Sequence, residues 1–302
     1  MKKRTAFIGA ILSLIPLGQP QIIKTGVALS SIGLMLLVSE NVYARDANYF
    51  FNRAYKRAEK GDHYGAIADY TKAIEINPKD ADSYHNRGSS KEELGDYKGA
   101  LKDYEKSLSI NPDDYLTLQG IGSAKSGMGD HYGAISAYNS SIELNPDNDT
   151  AYHNRGSSKE ALEDYKGALK DYEKALLINP IDYLTWQGVG AAKSGMGDYY
   201  GAISAYNESI ILNPNNTDAY YNRGNAKMDL KDNYGAISDY IKVLELNPEY
   251  INAYINMSIA KENIGDIKGA CVDAKKVVSF GEESSENKSL ISENKSWIKK
   301  NC

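Results

Sequence analysis

From residue 47 to residue 284 one pattern of apolar and polar positions returns every 34 residues. Its clearest stripe pairs an alanine with a tyrosine one turn later: Ala66 and Tyr70, Ala100 and Tyr104, Ala134 and Tyr138, Ala168 and Tyr172, Ala202 and Tyr206, Ala236 and Tyr240. Residues four apart share one face of a helix, so each pair predicts a helix with a buried stripe. An aspartate stands four residues before each alanine, beginning with Asp62 and Asp96 and ending with Asp266. Its carboxylate can accept from the unpaired N–H groups of a helix start. The stretch closes on Asn-Pro at Pro78, Pro112, Pro146, Pro180, Pro214 and Pro248. Asparagine tolerates a left-handed C-terminal residue and proline cannot continue the helix. A first helix precedes each of these, with an aromatic at Tyr84, Tyr152, Trp186, Tyr220 and Tyr254 and a glycine at Gly88, Gly122, Gly156, Gly190 and Gly224.

The prediction is an all-α solenoid of seven helix pairs over 47–80, 81–114, 115–148, 149–182, 183–216, 217–250 and 251–284. Residues 285–302, with Leu290, Ile291, Trp297 and Ile298 among polar residues, suit a helix that caps the last unit. Residues 1–44 are of another kind: a basic start at Lys2, Lys3 and Arg4, then apolar runs over 6–18 and 26–38. Each run has the length of a signal-peptide core, shorter than the roughly 20 residues of a spanning helix. Val42-Tyr43-Ala44 offers a cleavage site. Two readings stay open, a cleaved export signal or a retained anchor; both place the repeats outside the cytoplasm, in a periplasm or a thylakoid lumen.

Composition adds the exclusions. Only 8 prolines and 2 cysteines are set against 24 tyrosines, and the formal charge is −5. Removing Lys2, Lys3, Arg4, Lys24 and Glu40 leaves 31 basic and 39 acidic residues, a charge of −8. A phosphate-backbone binder is expected to be basic, so nucleic acid is not an expected partner. The only membrane contact expected is through the leader.

With an aromatic at repeat position 4, glycine at 8, alanine at 20, tyrosine at 24 and proline at 32, the chain resembles the tetratricopeptide repeat (TPR) family. The phrasing Asn-Arg-Gly and Leu-Gly-Asp is similar to bacterial, and more weakly cyanobacterial, members. The resemblance implies a right-handed superhelix whose first helices line a concave groove that binds proteins or peptides. It implies no enzyme. Members that clamp a carboxylate terminus carry lysine at position 5; no unit here does, so that activity is not carried over.

Comparing the units with one another locates candidate residues. Arginine at position 7 accompanies aspartate at position 23, as Arg53 with Asp69, Arg87 with Asp103, Arg155 with Asp171, and Arg223 with Asp239. Where position 7 is Ile121 or Val189, position 23 is Ala137 or Ala205. The joint gain and loss of charge predicts a structural ion pair between first and second helices; the seventh unit, with Met257 and Asp273, departs from it. Groove positions are expected near 2, 5 or 6, 9 and 12. Positions 5 and 6 hold His85, Asn86, Gln119, His153, Asn154, Gln187, Tyr221 and Asn222, whose amides and rings could bind an extended backbone or merely solvate the surface.

No metal site or cofactor is expected: His85 and His153 lie two units apart, on the order of 20 Å, and no phosphate loop or nucleophile–base spacing occurs. Cys271 takes the place of Ile67 and Leu101 in other units and reads as an apolar substitute; a bond to the terminal Cys302 requires the tail to fold back. Residues 81–148 and 149–216 agree at 53 of 68 positions. This close copy suits a repetitive or extended partner, or reflects duplication alone. The leading expectation is a protein-interaction scaffold; the alternative is a structural or assembly spacer of the cell envelope or photosynthetic membrane.

Overall fold

In the computed structural model the described residues are 46–281 and 288–302, all but a few of them in fifteen helices and connecting turns. The leader of residues 1–44, its cleavage site and the first residues of the tail lie outside the described residues. Seven antiparallel helix pairs follow one another, from 46–58 with His63–Ile76 to Ile251–Asn263 with Ile267–Gly281. Each helix packs on its pair mate and on the next helix along the chain, and consecutive first helices of units 2 to 7 also touch. The fold is an all-α solenoid.

Every second helix begins on its aspartate. The carboxylate accepts from the N–H three residues on, at 2.9–3.0 Å in Asp62–Gly65, Asp96–Gly99 and the five later units. A Cβ on Gly65 would stand 2.1 Å from the Asp62 carboxylate. The glycine at position 19 is thus imposed by the cap that folds over it. The Asn-Pro end differs from the left-handed expectation. Asn77 and Asn213 are extended, with φ −125° and −135°. Their side chains accept from the N–H two residues on, at 3.3 and 3.1 Å, and form a local turn ahead of the next helix. The left-handed residue lies instead between the two helices of a unit, where Gly61, Gly95, Gly129, Gly197 and Gly265 have φ of 76–81°.

The core is a file of small contacts around one large ring per unit. Ala66, Ala100, Ala134, Ala168, Ala202 and Ala236 are all 0% exposed, and the tyrosine one turn later is buried in each case. Tyr104 is wedged between two backbones: added Cβ atoms on Gly88 of its own unit and Gly120 of the next would meet its ring at 3.0 and 2.7 Å. Tyr172 repeats this against Gly156 and Gly188 at 2.8 and 2.6 Å. The ring therefore joins units as well as closing them. Position 4 aromatics help at the turns, where the Trp186 indole N–H donates to the Pro180 carbonyl at 3.1 Å.

The tail helix Lys288–Asn301 packs on the second helix of the seventh unit and buries Ile291. Cys271 is more than an apolar filler. It is bonded to Cys302, with the Cα atoms 5.9 Å apart, so the tail does fold back. Among the described residues no helix is long and apolar enough to cross a membrane.

The packing makes Gly190→Ala a test with a sign. Helix propensity alone favours alanine by about 1 kcal/mol. The new methyl, however, would lie 2.5 Å from the buried Tyr206 ring, and overpacking of this kind costs about 1–3 kcal/mol. The variant is expected to melt at a lower temperature than the parent; a raised midpoint would contradict the wedge.

Candidate functional site

Positions 2, 5, 6, 9, 12 and 13 fall on one face of each first helix, and consecutive first helices of units 2 to 7 touch, so these positions adjoin from unit to unit. Two cavities on this face are built by successive units. One of about 450 Å³ is lined by Glu92, Glu93, Ser123, Ser126, Asn154 and Ser157, with Tyr97, Gly127 and Tyr138. The other, about 190 Å³, is lined by His153, Ser157, Glu160, Leu184, Gln187 and Ala191, with Tyr172 and Gly188.

The position 5 residues bond across the joints between units, either to the next unit or to the asparagine that caps its first helix. His85 Nδ1 meets Thr117 Oγ1 at 2.9 Å and His153 Nδ1 meets Thr185 Oγ1 at 2.7 Å. Gln119 and Gln187 accept through Oε1 from Asn148 and Asn216, both at 2.8 Å. The Tyr221 hydroxyl accepts from Asn256 Nδ2 at 3.0 Å. Each side chain keeps part of its surface at the groove while one polar atom is spent on the joint. Burial pushes the His85 and His153 imidazoles below the usual histidine range, so they are neutral at pH 7. Of the position 6 residues, Asn86 Nδ2 donates to the Asp82 carbonyl one turn back at 2.8 Å. Asn154 faces the larger cavity, and Asn222 holds the equivalent place in the sixth unit.

Positions 9 and 12, expected on the groove from periodicity, supply its most polar groups. Glu92 Oε2 accepts from the Tyr104 hydroxyl at 2.8 Å, and its Oε1 accepts from the Ser123 hydroxyl. Glu160 Oε2 accepts from the Tyr172 hydroxyl at 2.8 Å. Burial raises the Glu160 carboxyl above the ordinary range, and the Tyr172 hydrogen bond opposes that rise. Burial likewise raises the Tyr172 phenol, keeping it a donor.

The ion pairs stand behind this face, between first and second helices. Arg87 grips Asp103 with two N–H groups at 2.8 and 2.6 Å; Arg155 with Asp171 and Arg223 with Asp239 repeat the fork at 2.8 and 2.6 Å and at 2.9 and 2.5 Å. Arg53 does the same to Asp69 at 2.6 and 2.5 Å, and holds that carboxyl below its ordinary range. Sequence comparison missed a second cation at position 11. Lys91, Lys159 and Lys227 reach the same three carboxylates at 2.7 Å. In the seventh unit Lys261 alone pairs with Asp273 at 2.6 Å, which accounts for an aspartate beside Met257. Each arginine also lies over the position 4 ring, 5.3–5.5 Å from Tyr84, Tyr152 and Tyr220.

Profiles of the tetratricopeptide repeat match residues 81–114, 117–148, 150–182 and 217–250, and TPR-repeat profiles match 54–94 and 196–231. The chain belongs to the tetratricopeptide repeat family. TPR proteins mediate protein–protein interactions and are typically non-enzymatic scaffolds. No curated protein matches the sequence. Among solved structures, a TPR protein from Parabacteroides merdae is 23% identical with a TM-score of 0.64, over 84% of this chain and 98% of that one. MamA is 26% identical with a TM-score of 0.51, over 54% of this chain and 95% of its own. YrrB, described as a TPR protein with an unusual peptide-binding site, is 23% identical with a TM-score of 0.50, over 61% of this chain and 95% of its own. At these identities the likeness to the Parabacteroides protein and to YrrB is one of fold.

The third unit shows how a TPR can do without the ion pair, since Ile121 and Ala137 fill its place. Arg155→Ile alone should destabilise by about 3 kcal/mol, because Asp171 is left buried with one partner fewer. Adding Asp171→Ala installs the third unit's solution and should restore most of the loss in a chemical-denaturation series. Additive losses would show that the two residues are not coupled.

Proposed function

We propose that this protein is a non-enzymatic scaffold that holds an extended segment of a protein partner along its concave first-helix face. The observation that carries the reading is the pair of cavities, about 450 and 190 Å³, built across consecutive units from polar side chains. An extended chain needs such a row of hydrogen-bonding groups, with side chains entering alternate hollows. The peptide-binding site named for YrrB supports the reading by analogy of fold. Asn154 and Ser157 are the central contacts, flanked by His85, Asn86, Gln119, His153, Gln187, Tyr221 and Asn222, whose roles are divided between the joint and the groove.

The setting we propose is extracytoplasmic, either exported to a periplasm or thylakoid lumen or held by the leader. Two features support it: the leader over residues 1–44, and the Cys271–Cys302 bond, of a kind that persists in oxidising compartments. The second reading is an envelope or photosynthetic-membrane spacer, whose role depends on the length of the solenoid more than on its groove residues.

A photocrosslinking amino acid placed at Asn154 should trap a protein partner in living cells, while one at the exposed Lys166 on the second helix of the same unit should not. Equal adducts at the two positions, or none at Asn154, would remove the groove. Deleting residues 81–148 separates the readings further: a scaffold keeps crosslinking through its second copy of the surface, whereas a spacer loses function with length.

A further inference from the structure

The chemistry of the concave face says which side chain its partner offers, on the reading that this face is the binding face. Over the seven units, positions 2, 5, 6, 9, 12 and 13 carry eight carboxylates, among them Asp82, Glu92, Glu93, Glu160 and Asp218, and neither a lysine nor an arginine. All first-helix cations stand at other positions; those at 7 and 11 that have an aspartate at 23 pair with it behind the face. His153, which lines the smaller cavity, and His85 on the same face are both held below the usual histidine range by burial, so neither offsets this charge at pH 7.

The two copies of the 68-residue unit then differ at one atom that matters. In the first copy both oxygens of Glu92 are occupied, by the Tyr104 and Ser123 hydroxyls. In the second copy Tyr172 holds Glu160 Oε2, but Ala191 stands where Ser123 stood. Among the described residues no donor reaches Glu160 Oε1. Glu160 lines the cavity of about 190 Å³ together with Leu184, Ala191 and Tyr172, and with the polar His153, Ser157 and Gln187. A half-buried carboxylate with one open oxygen, beside the apolar surface of Leu184 and Ala191, matches a long aliphatic stem that ends in a cation. The Tyr172 hydroxyl already engages Oε2, so Oε1 is the one carboxylate oxygen with no donor yet, and a single donor is enough to complete it. The compact point charge of an ammonium on a flexible stem supplies that donor.

We propose that the cavity at Glu160 is a specificity pocket for a lysine side chain of an extended, basic partner segment. The two cavities adjoin at Ser157, but Glu92 and Glu93 at the far end of the larger one lie two units from Glu160, about 20 Å by the spacing of packed helices. An extended chain at about 3.3 Å per residue covers that distance in about six residues. The fitting segment therefore carries a second basic residue about six positions from the first.

The test uses synthetic peptides of about a dozen residues, built on a neutral serine and asparagine background with two lysines about six apart. The comparison peptide replaces both lysines with norleucine, which keeps the stem and removes the charge. Binding to the full chain, measured by fluorescence anisotropy, should favour the lysine peptide about tenfold or more, the worth of a charge-assisted hydrogen bond. Ala191→Ser restores the first copy's hydroxyl to Glu160 Oε1 without changing charge or fold. It is expected to weaken the lysine peptide severalfold, while Ser123→Ala, which frees Glu92 Oε1, should strengthen it. Glu160→Gln should remove most of the lysine peptide's advantage over the norleucine peptide, and Glu249→Gln, outside the face, should leave it unchanged. If both peptides bind equally, the lysine pocket falls while the groove stands. If the lysine peptide does not bind, or if Glu249→Gln weakens it as much as Glu160→Gln does, the pocket falls whatever the crosslinks from Asn154 show.

Discussion

One contact recurs in every unit from the second to the sixth: a tyrosine ring of the second helix pressed on the bare backbone of a glycine in the first, as Tyr172 on Gly156. The approach is close enough that a single methyl would not fit, and the neighbouring alanine at 0% exposure keeps it so. In two units the same ring also lies against a glycine of the next unit, Gly120 or Gly188. Stacking of one unit on the next is then a consequence of closing each unit. Repeats that cannot bury their apolar faces alone are held in this way by nearest-neighbour contacts.

The same tyrosines tie the core to the concave face. Tyr104 and Tyr172 bury their rings between helices, and their hydroxyls emerge beside Glu92 and Glu160 and fix those carboxylates in place. The side chains between units follow a related logic. His85 and His153 each give one polar atom to the next unit, and Gln119 and Gln187 each give one to the asparagine that caps the next unit's first helix. What remains for a partner is the part of each group that the fold has not used. That is why the carboxylate oxygen left open by Ala191 matters more than the larger number of amides around it.

Features that vary together between units were readable from the residues alone. The Arg87 and Asp103 pairing stands out because Ile121 and Ala137 lose both charges at once. The second cation did not stand out. Position 11 is basic in all seven units, including the third and fifth, where Lys125 and Lys193 have no aspartate at 23 to meet. A residue that does not vary carries no comparison. The partners of position 5 were hidden for another reason, since Thr117 and Asn148 lie about 30 residues along the chain and meet it only once helices are stacked. The Cys271 to Cys302 bond depended on the tail turning back, which a separation of 31 residues does not specify. The extended Asn-Pro turn shows a preference overruled by local hydrogen bonding: the asparagine side chain binds the backbone ahead of it instead of adopting a positive φ.

The claim that a core tyrosine positions the groove carboxylate is tested most directly by titrating Glu160 by NMR in the parent and in Tyr172→Phe. The substitution keeps the ring and removes only the hydroxyl. Burial already raises this carboxyl and the hydroxyl opposes the rise, so the account predicts an elevated pKa in the parent, a still higher one in the variant, and little change in melting. An ordinary glutamate pKa that is identical in both proteins would contradict it.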